Sequence, residues 1–377
     1  MSGGPSAAAL VAALALVVLA YTYLGYPVLL ALLARLRPWR VRSDPGWQPT
    51  VSVCVAAYNA ESVMDRKLAS LTTLDYPFER LEILVYSDGS TDRTDSIVLA
   101  WAAHDERVRL IRGPVRQGKP TALNVLRREA RGEVLMLTDS RPRVDRRALS
   151  AMLALLADPR VGCVTGNLVL EGKAGSGVYW RYENWIRRSE ARFRSLVGMV
   201  GTLSVLRRAD LALLPANLIL DDVWIPMRLR LQGRRTVLCT DALVFDDAFD
   251  DHREFGRKVR TLAGNYQMFA WMPRLLVPFA NPSWFETVSH KLLRLVCPWA
   301  LAALFAASVI GAWGVTSLRE SPGLAALAAG QVLFYAAASA GARAGRVGCL
   351  ARTFVVLNAA AVVGLWRFLV GAQRVTW

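Results

Sequence analysis

The sequence predicts an α/β domain with a mostly parallel, doubly wound sheet, held between hydrophobic helices at the two ends of the chain. Apolar residues gather at both ends of the 377-residue chain, whereas charged residues crowd its middle. In the middle, short apolar runs alternate with amphipathic stretches, a pattern typical of strands that alternate with helices. The formal net charge is +16, and many of the basic residues flank the apolar runs.

The first apolar run covers about residues 7–34 and contains no charged residue. It exceeds the roughly 20 residues that are needed to cross the hydrocarbon core of a bilayer. A cleaved signal peptide fits poorly, because residues 1–6 contain no basic residue and the run is too long. We therefore predict a retained transmembrane helix over residues 1–36. The basic cluster that follows favours an N-terminus outside and entry into the cytosol; it consists of Arg35, Arg37, Arg40 and Arg42.

Three more apolar runs lie in the last third of the chain, at residues 295–318, 324–342 and 353–372. Arg319 and Glu320 interrupt the series after the first run. We predict an interfacial amphipathic segment over residues 266–293 and a region of about three spans over residues 294–377. The basic loop before the last run is expected to be cytosolic. The result is a multi-pass protein of the plasma or inner membrane, with four spans, both termini outside and residues 37–265 in the cytoplasm.

The middle region contains five predicted strands, at residues 51–56, 81–86, 108–111, 134–137 and 161–164. Helices are predicted at residues 61–74, from about residue 92, and at 119–131 and 149–156. In a sheet of this kind, ligands bind at the carboxyl ends of the strands. The loops that follow these strands are therefore where a functional site is expected.

Three of these loops carry residues suited to a nucleotide. Asp88 ends the second strand, where its carboxylate can accept hydrogen bonds from a base or ribose, although Asp88–Asp92 also reads as a simple turn and helix cap. Tyr58 can pack on a nucleobase or belong to the core. Lys119 follows a glycine at a helix start, a position that suits a diphosphate.

Acidic and basic pairs follow further along the chain. Asp139 ends the fourth strand, where it can bind a divalent cation that bridges a diphosphate. Asp221 and Asp222 can act as a base and its orienting partner, or as negative charge at a helix N-terminus. Arg257 and Arg260 share one helix face, which suits phosphate oxygens or, alternatively, a basic membrane-facing helix.

Several site classes are not indicated by the sequence. The five cysteines are scattered, odd in number and without a Cys-x-x-Cys spacing, so neither a disulfide framework nor a zinc site is expected. The three histidines are far apart in sequence. The basic residues are dispersed and lack a nucleic-acid-binding motif, so a membrane-surface role explains the charge and no nucleic-acid partner is expected.

Read in order, these motifs resemble the family-2 glycosyltransferases, over most of the cytosolic region. The flanking helices look like those of the membrane-bound branch with the cellulose, chitin and hyaluronan synthases. The resemblance implies a Rossmann-like GT-A fold, a nucleotide-diphospho-sugar donor with a UDP-sugar favoured, and a Mg²⁺ or Mn²⁺ ion. The motifs are Ala57-Tyr58-Asn59, Asp88-Gly-Ser-Thr-Asp92, Gly118-Lys119 through Asn124, Asp139, Gly162 with Gly166, and Asp221-Asp222.

Carried over to this sequence, the resemblance assigns each position a role. Tyr58 and Asp88 would face the nucleoside, and Lys119 the diphosphate. Asp139 matches the first aspartate of the family's Asp-x-Asp metal motif. Asp222 matches the base that ends the Thr-Glu-Asp motif, and Arg260 matches the arginine of the Gln-x-x-Arg-Trp motif.

Two departures from the family pattern bear on function. Arg141 stands where the second metal-motif aspartate is expected, and Thr261 replaces the tryptophan that would floor the acceptor site. Both argue against processive polymer synthesis. We therefore expect an inverting transfer of a hexosyl or N-acetylhexosaminyl group to a hydroxyl of a sugar or lipid-linked acceptor, in cell-envelope polysaccharide or glycolipid synthesis. Transfer to a polyprenyl phosphate and a non-catalytic subunit of an export complex are the alternatives, and homo-oligomerisation is left open.

Residues 180–193 alternate aromatic, arginine and glutamate side chains. Such a stripe fits either a groove for an acceptor or lipid, or an amphipathic helix at the membrane interface. The sequence alone leaves both interpretations open.

Overall fold

The computed structural model describes residues 6–171, 177–247, 251–313, 322–373 and 375. Its strands are β1 (Val51–Ala57), β2 (Leu81–Asp88), β3 (Val108–Gly113), β4 (Val134–Asp139), β5 (Arg143–Val144), β6 (Val161–Glu171), β7 (Leu203–Arg207) and β8 (Arg235–Asp247). Its helices are α1 (Ala7–Ala20), α2 (Tyr26–Leu36), α3 (Glu61–Thr72), α4 (Thr94–Ala102), α5 (Lys119–Glu129), α6 (Ala148–Leu156), α7 (Val178–Phe193), α8 (Asp221–Leu231), α9 (Asp251–Trp271), α10 (Trp284–Glu286), α11 (Leu293–Trp313), α12 (Pro322–Ala340) and α13 (Gly345–Leu369).

The eight strands form one sheet in the order β3-β2-β1-β4-β7-β6-β8-β5. The first four of these run parallel to one another, and β6 pairs in parallel with β8. The short strand β7 runs antiparallel to both β4 and β6, and β5 runs antiparallel to β8. The predicted mostly parallel sheet is confirmed, and every strand predicted from the sequence is present.

The sheet is buried on both faces, as parallel sheets are. Alternate residues of β1 point to opposite layers: Val53 and Val55 pack with α3 and α6, whereas Cys54 packs with α5 and α8. The carboxyl ends of β1, β2 and β4 therefore lie together at one edge, between these two helical layers. This edge is where the functional residues were expected.

Three helical stretches among the described residues are long and apolar enough to cross a membrane: Ala7–Leu36, Trp284–Trp313 and Pro322–Leu369. α1 packs along α11 through small residues, including Ala12 and Ala307, which allow close helix approach in an apolar environment. The predicted interruption at Arg319 and Glu320 lies outside the described residues. The apolar helices at both ends of the chain agree with the sequence.

The last helical stretch consists of two helices, α12 and α13, in agreement with the two apolar runs predicted there. The chain turns between them at Gly341 and Gly345, whose φ angles are +55° and +64°, so that the rings of Phe334 and Phe354 lie 5.7 Å apart. The second helix, α13, packs on α9 so closely that a Cβ atom on Gly364 would lie 2.9 Å from the backbone nitrogen of Ala263. Hydropathy alone indicated a lipid-facing span here, whereas small residues let this part of α13 dock on protein.

The C-terminal end of the chain lies beside the α/β domain, where a Cβ atom on Gly118 would meet Val375 at 3.6 Å. α11 leads away from that domain: Leu295 near its start packs in the domain core, and Gly311 near its end lies beside Ala8. Ala8 and Val375 therefore lie toward opposite ends of the helix bundle. This places Val375 on the side of the α/β domain, while the four spans with both termini outside stay a prediction.

The predicted interfacial segment begins inside a helix, because α9 continues across residue 265 to Trp271. After it, Val277 and Phe279 expose their side chains, Phe279 completely. Exposed apolar side chains next to the apolar helices fit a segment that lies on a membrane surface.

We predict that protease added to inverted membrane vesicles removes an epitope tag placed after residue 377, because the C-terminal end and the α/β domain share one side. A tag placed before Met1 is the matched control, and it should be protected in the same vesicles. Immunoblots of both tags in inverted and right-side-out vesicles measure this. Protection of the C-terminal tag in inverted vesicles would contradict the arrangement.

Candidate active site

A cavity of about 720 Å³ opens where β4 ends and α8 begins. A strand's carboxyl end and the N-termini of α5 and α8 meet here, as expected for a ligand site in such a sheet. Charged side chains from several elements face this cleft, namely Asp139, Asp221, Asp222 and Asp246 with Lys119, Arg141, Arg187, Arg257 and Arg260. The structure thus gathers six of the eight predicted site residues into one cavity.

Lys119 connects two of the carboxylates. Its Nζ lies 2.8 Å from Oδ1 of Asp139 and 3.2 Å from Oδ2 of Asp221. Burial opposes the charged amine, but the two carboxylates outweigh burial and raise the pKa of Lys119 above its ordinary value. The amine therefore stays protonated and fixes both carboxylates at the first turn of α5.

Asp222 differs from its neighbour Asp221. Its Oδ1 is buried and has no hydrogen-bond partner among the described residues. Burial raises the pKa of Asp222 to about 6, and the negative charge of Asp221 adds to the rise while Lys119 opposes it. A carboxylate with an uncommitted oxygen and a pKa near neutrality suits a general base.

Arg257 and Arg260 both line the cleft, one turn apart on α9. Arg260 also donates to the carbonyl of Ile219 at 3.3 Å, just before α8. Both side chains therefore face the same space as Lys119, as a phosphate-binding role requires. The alternative interpretation was a basic helix that faces the membrane, and it does not fit two arginines that face the cleft.

Arg141 stands at the position of the second aspartate in the predicted Asp-x-Asp metal motif. It forms an ion pair with Asp246 of β8 at 2.5 Å. Among the described residues, no group of three or more His, Cys, Asp or Glu side chains could enclose a metal ion. Carboxylate oxygens are what Mg²⁺ and Mn²⁺ prefer, so Asp139 fits an ion that a diphosphate and water also coordinate.

Asp88 and Tyr58 lie outside the lining of the cleft. Asp88 is fully buried, and its two oxygens accept the backbone N–H groups of Gln117 at 2.8 Å and Gly118 at 2.7 Å. It thereby holds the loop that leads into Lys119. Tyr58 stacks under the guanidinium of Arg116 at 3.8 Å on the same loop. Direct contact of Asp88 or Tyr58 with a nucleoside stays a prediction.

Sequence reasoning missed a buried lysine behind the cleft. Lys67 of α3 is fully buried, and its Nζ donates to Oγ1 of Thr138 at 2.7 Å and to the carbonyl of Pro142 at 2.8 Å. These two residues flank the segment that carries Asp139 and Arg141. Burial lowers the pKa of Lys67 to about 7. The amphipathic pattern of α3 did not indicate that Lys67 is buried, because such a pattern predicts that every charged side chain of the helix faces solvent.

Two further lining residues come from α7. Trp180 and Arg187 face the cleft, and Arg187 donates to the carbonyl of Met199 at 3.3 Å. The aromatic and basic stripe of residues 180–193 was the signal that could have found them. Of the two interpretations left open for this stripe, a groove for an acceptor or lipid stays a prediction.

Comparison with known proteins shows which family the middle of the chain resembles. The profile described as "Glycosyl transferase family 2" matches residues 52–213. The chain is 33% identical over 135 residues to the probable glycosyltransferase YdaM of Bacillus subtilis, covering 33% of this chain and 32% of that one. It is 30% identical over 145 residues to a beta-monoglucosyldiacylglycerol synthase of Nostoc, covering 38% and 31%. The chain thus spans about a third of each of these relatives.

A solved structure resembles the chain over nearly its whole length. A mannosyltransferase from Pyrobaculum calidifontis, determined in complex with GDP-Man and Mn²⁺, is 26% identical. The match covers 96% of this chain and 100% of that one, with a TM-score of 0.76. The likeness therefore includes the apolar helices as well as the α/β domain.

We predict that Lys67→Met lowers stability by about 1–3 kcal/mol, because it leaves buried acceptors without a donor. The matched control is Arg66→Met on the same helix, whose exposed pair with Asp247 is worth at most about 1 kcal/mol. Thermal unfolding in detergent measures the difference. Equal melting temperatures for the two variants would show that Lys67 does not hold the Thr138–Pro142 segment.

Proposed function

We propose that this chain, a member of glycosyl transferase family 2, is an inverting glycosyltransferase that uses a nucleoside diphosphate sugar and a hydroxyl acceptor. The observation that carries the proposal is the arrangement at the cleft. Asp222 keeps an uncommitted oxygen, while Asp221 and Asp139 are tied to Lys119. One carboxylate is thus available as a base beside a site built for a diphosphate.

The donor would bind across the first turn of α5. Lys119, Arg257 and Arg260 would supply three positive charges to the diphosphate, and the N-terminus of α5 would add the positive end of its helix dipole. The nucleoside would extend toward Tyr58 and the loop held by Asp88. GDP-Man is the donor named for the similar mannosyltransferase. A UDP-sugar remains the donor favoured by the family resemblance.

Asp139 would hold the divalent cation, with Asp246 as a further carboxylate of the cleft. When bound, the cation supplies positive charge to the leaving diphosphate. The ammonium of Lys119 lies 2.8 Å from Asp139 and supplies further positive charge at the same place. Arg141 is paired with Asp246 in the same cleft.

The reaction follows from these placements. Asp222 accepts the proton of the acceptor hydroxyl, and the acceptor oxygen forms a bond to the anomeric carbon from the face opposite the diphosphate. The bond between that carbon and the diphosphate oxygen breaks, which inverts the configuration. Asp221 is paired with Lys119 instead. Its task is to position Lys119 against the leaving group.

The two alternatives are less well supported. A phosphate acceptor is already ionised, so it has no use for the raised pKa of Asp222. A non-catalytic subunit has no need for an intact set of carboxylates and cations in one cavity. Transfer to a hydroxyl accounts for both observations.

The three apolar helical stretches fit a membrane protein. We propose that the α/β domain lies in the cytoplasm at the plasma or inner membrane, because the basic cluster after α2 flanks it. The N-terminus would then lie outside, and the docked C-terminal end inside.

Asp222→Asn should lower kcat by about 10²–10⁴ without weakening donor binding, because it removes the base and keeps the shape of the side chain. Asp241→Asn, at an exposed position on β8, is the matched control and should transfer normally. Release of nucleoside diphosphate gives the rate, and calorimetry gives donor affinity. Near-normal transfer by Asp222→Asn would mean that Asp222 is not the base.

The pH dependence follows from the same residue. A base acts in its deprotonated form, so kcat/KM should rise as the pH increases through about 6 and level off above it. Initial rates from pH 5 to 8 measure this limb. The residual activity of Asp222→Asn should lack it; an unchanged limb in that variant would assign the titration to another group.

A further inference from the structure

A second large cavity, of about 700 Å³, lies among the apolar helices. It is lined by residues of α1, α7, α11, α12 and α13, such as Leu16, Leu301, Leu327, Phe334 and Leu357. Among the described residues, the lining contains no charged side chain. A space of this size and composition takes a hydrocarbon ligand.

One helix separates this cavity from the cleft. At the start of α7, Tyr179 and Tyr182 line the apolar cavity, while Trp180 and Arg187 line the cleft. Neighbouring side chains on one helix thus face the two spaces. A molecule with its hydrocarbon in the first space needs only to pass α7 to place a polar group in the second.

We propose that the apolar cavity binds the hydrocarbon of the acceptor, a membrane lipid of the diacylglycerol class whose headgroup hydroxyl reaches Asp222. The proposal rests on the proposed function, since it names the acceptor of that reaction. Arg187 and Trp180 would then flank the headgroup at the entrance to the cleft.

The choice of a lipid follows from the place of the cavity. Its walls belong to helices that are long and apolar enough to lie in a bilayer, where lipid is the surrounding solvent. Exposed lining residues, among them Val347 and Leu350, open the cavity to that solvent.

The choice of a hydroxyl headgroup follows from the reaction proposed at Asp222. Among the described residues, the lining of the apolar cavity contains no charged side chain, and the uncommitted oxygen of Asp222 belongs to the adjoining cleft. A hydroxyl headgroup brings the proton that this base would remove, whereas an ionised lipid phosphate brings none.

The chain offers a matched pair of variants on α12. Gly330 lines the cavity, and a Cβ atom there would have no neighbour within 4 Å, so Gly330→Phe fills the space without a backbone clash. Val332 lies on the same helix with 54% of its surface exposed and is not part of the lining. Val332→Phe therefore adds the same bulk outside the cavity.

The test uses the full chain in phosphatidylglycerol vesicles that contain a photoreactive diacylglycerol, with labelled peptides mapped by mass spectrometry. We expect labelling of α12 and α13 in the wild type that unlabelled diacylglycerol competes away. Gly330→Phe should reduce the competed labelling, and raise the KM for diacylglycerol, by about tenfold. Val332→Phe should change neither quantity, and melting temperatures establish that both variants are folded.

Three results would overturn the proposal: labelling that unlabelled lipid does not compete, competed labelling that Gly330→Phe leaves unchanged, or sugar transfer to a polyprenyl phosphate but not to diacylglycerol. The proposed function has a separate readout, the release of nucleoside diphosphate by the wild type without acceptor. No release and no donor binding would refute the transferase, even if the competed labelling located a lipid in the cavity.

Discussion

The ammonium group of Lys119 stands between the carboxylates of Asp139 and Asp221, and the rest of the site is arranged around it. It joins the end of a strand to the starts of two helices, so three elements from different parts of the sheet are fixed at one point. Burial and the negative charge of Asp221 raise the pKa of the adjacent Asp222, and Lys119 limits that rise. The same ion-pair network ties Asp221 to Lys119 and leaves Oδ1 of Asp222 uncommitted.

This network depends on buried groups that never reach the cleft. Asp88 accepts two backbone N–H groups and so sets the path of the chain into Gly118 and Lys119. Lys67 binds the segment after β4 from behind. Each of these groups would be costly to bury alone, and hydrogen bonds to the two loops offset that cost. The two loops that face the cleft are therefore held on their buried side by charged residues, Asp88 and Lys67.

How far the sequence predicts this site depends on where each residue lies. Lys119, Asp139 and Asp222 were found because strand ends and helix starts are visible in the hydrophobic pattern, and the topology then brings those ends together. Lys67 was missed because an amphipathic pattern places every charge outside. The docking of α13 on α9 was missed because hydropathy measures only composition. The close contact of Gly364 with α9 depends on how the helices pack in three dimensions.

The stripe on α7 shows how two interpretations of one pattern can both hold. Glu183 and Glu190 anchor the helix to α11 and to the preceding turn through Arg294 and His290, and removing one partner of a buried pair leaves an uncompensated charge. The helix is therefore a fixed wall. On one side its tyrosines meet the apolar helices, and on the other Trp180 meets the cleft. In the proposed reaction, an interface helix and the wall of an acceptor groove are the same element, because a lipid acceptor would reach the cleft from the membrane surface.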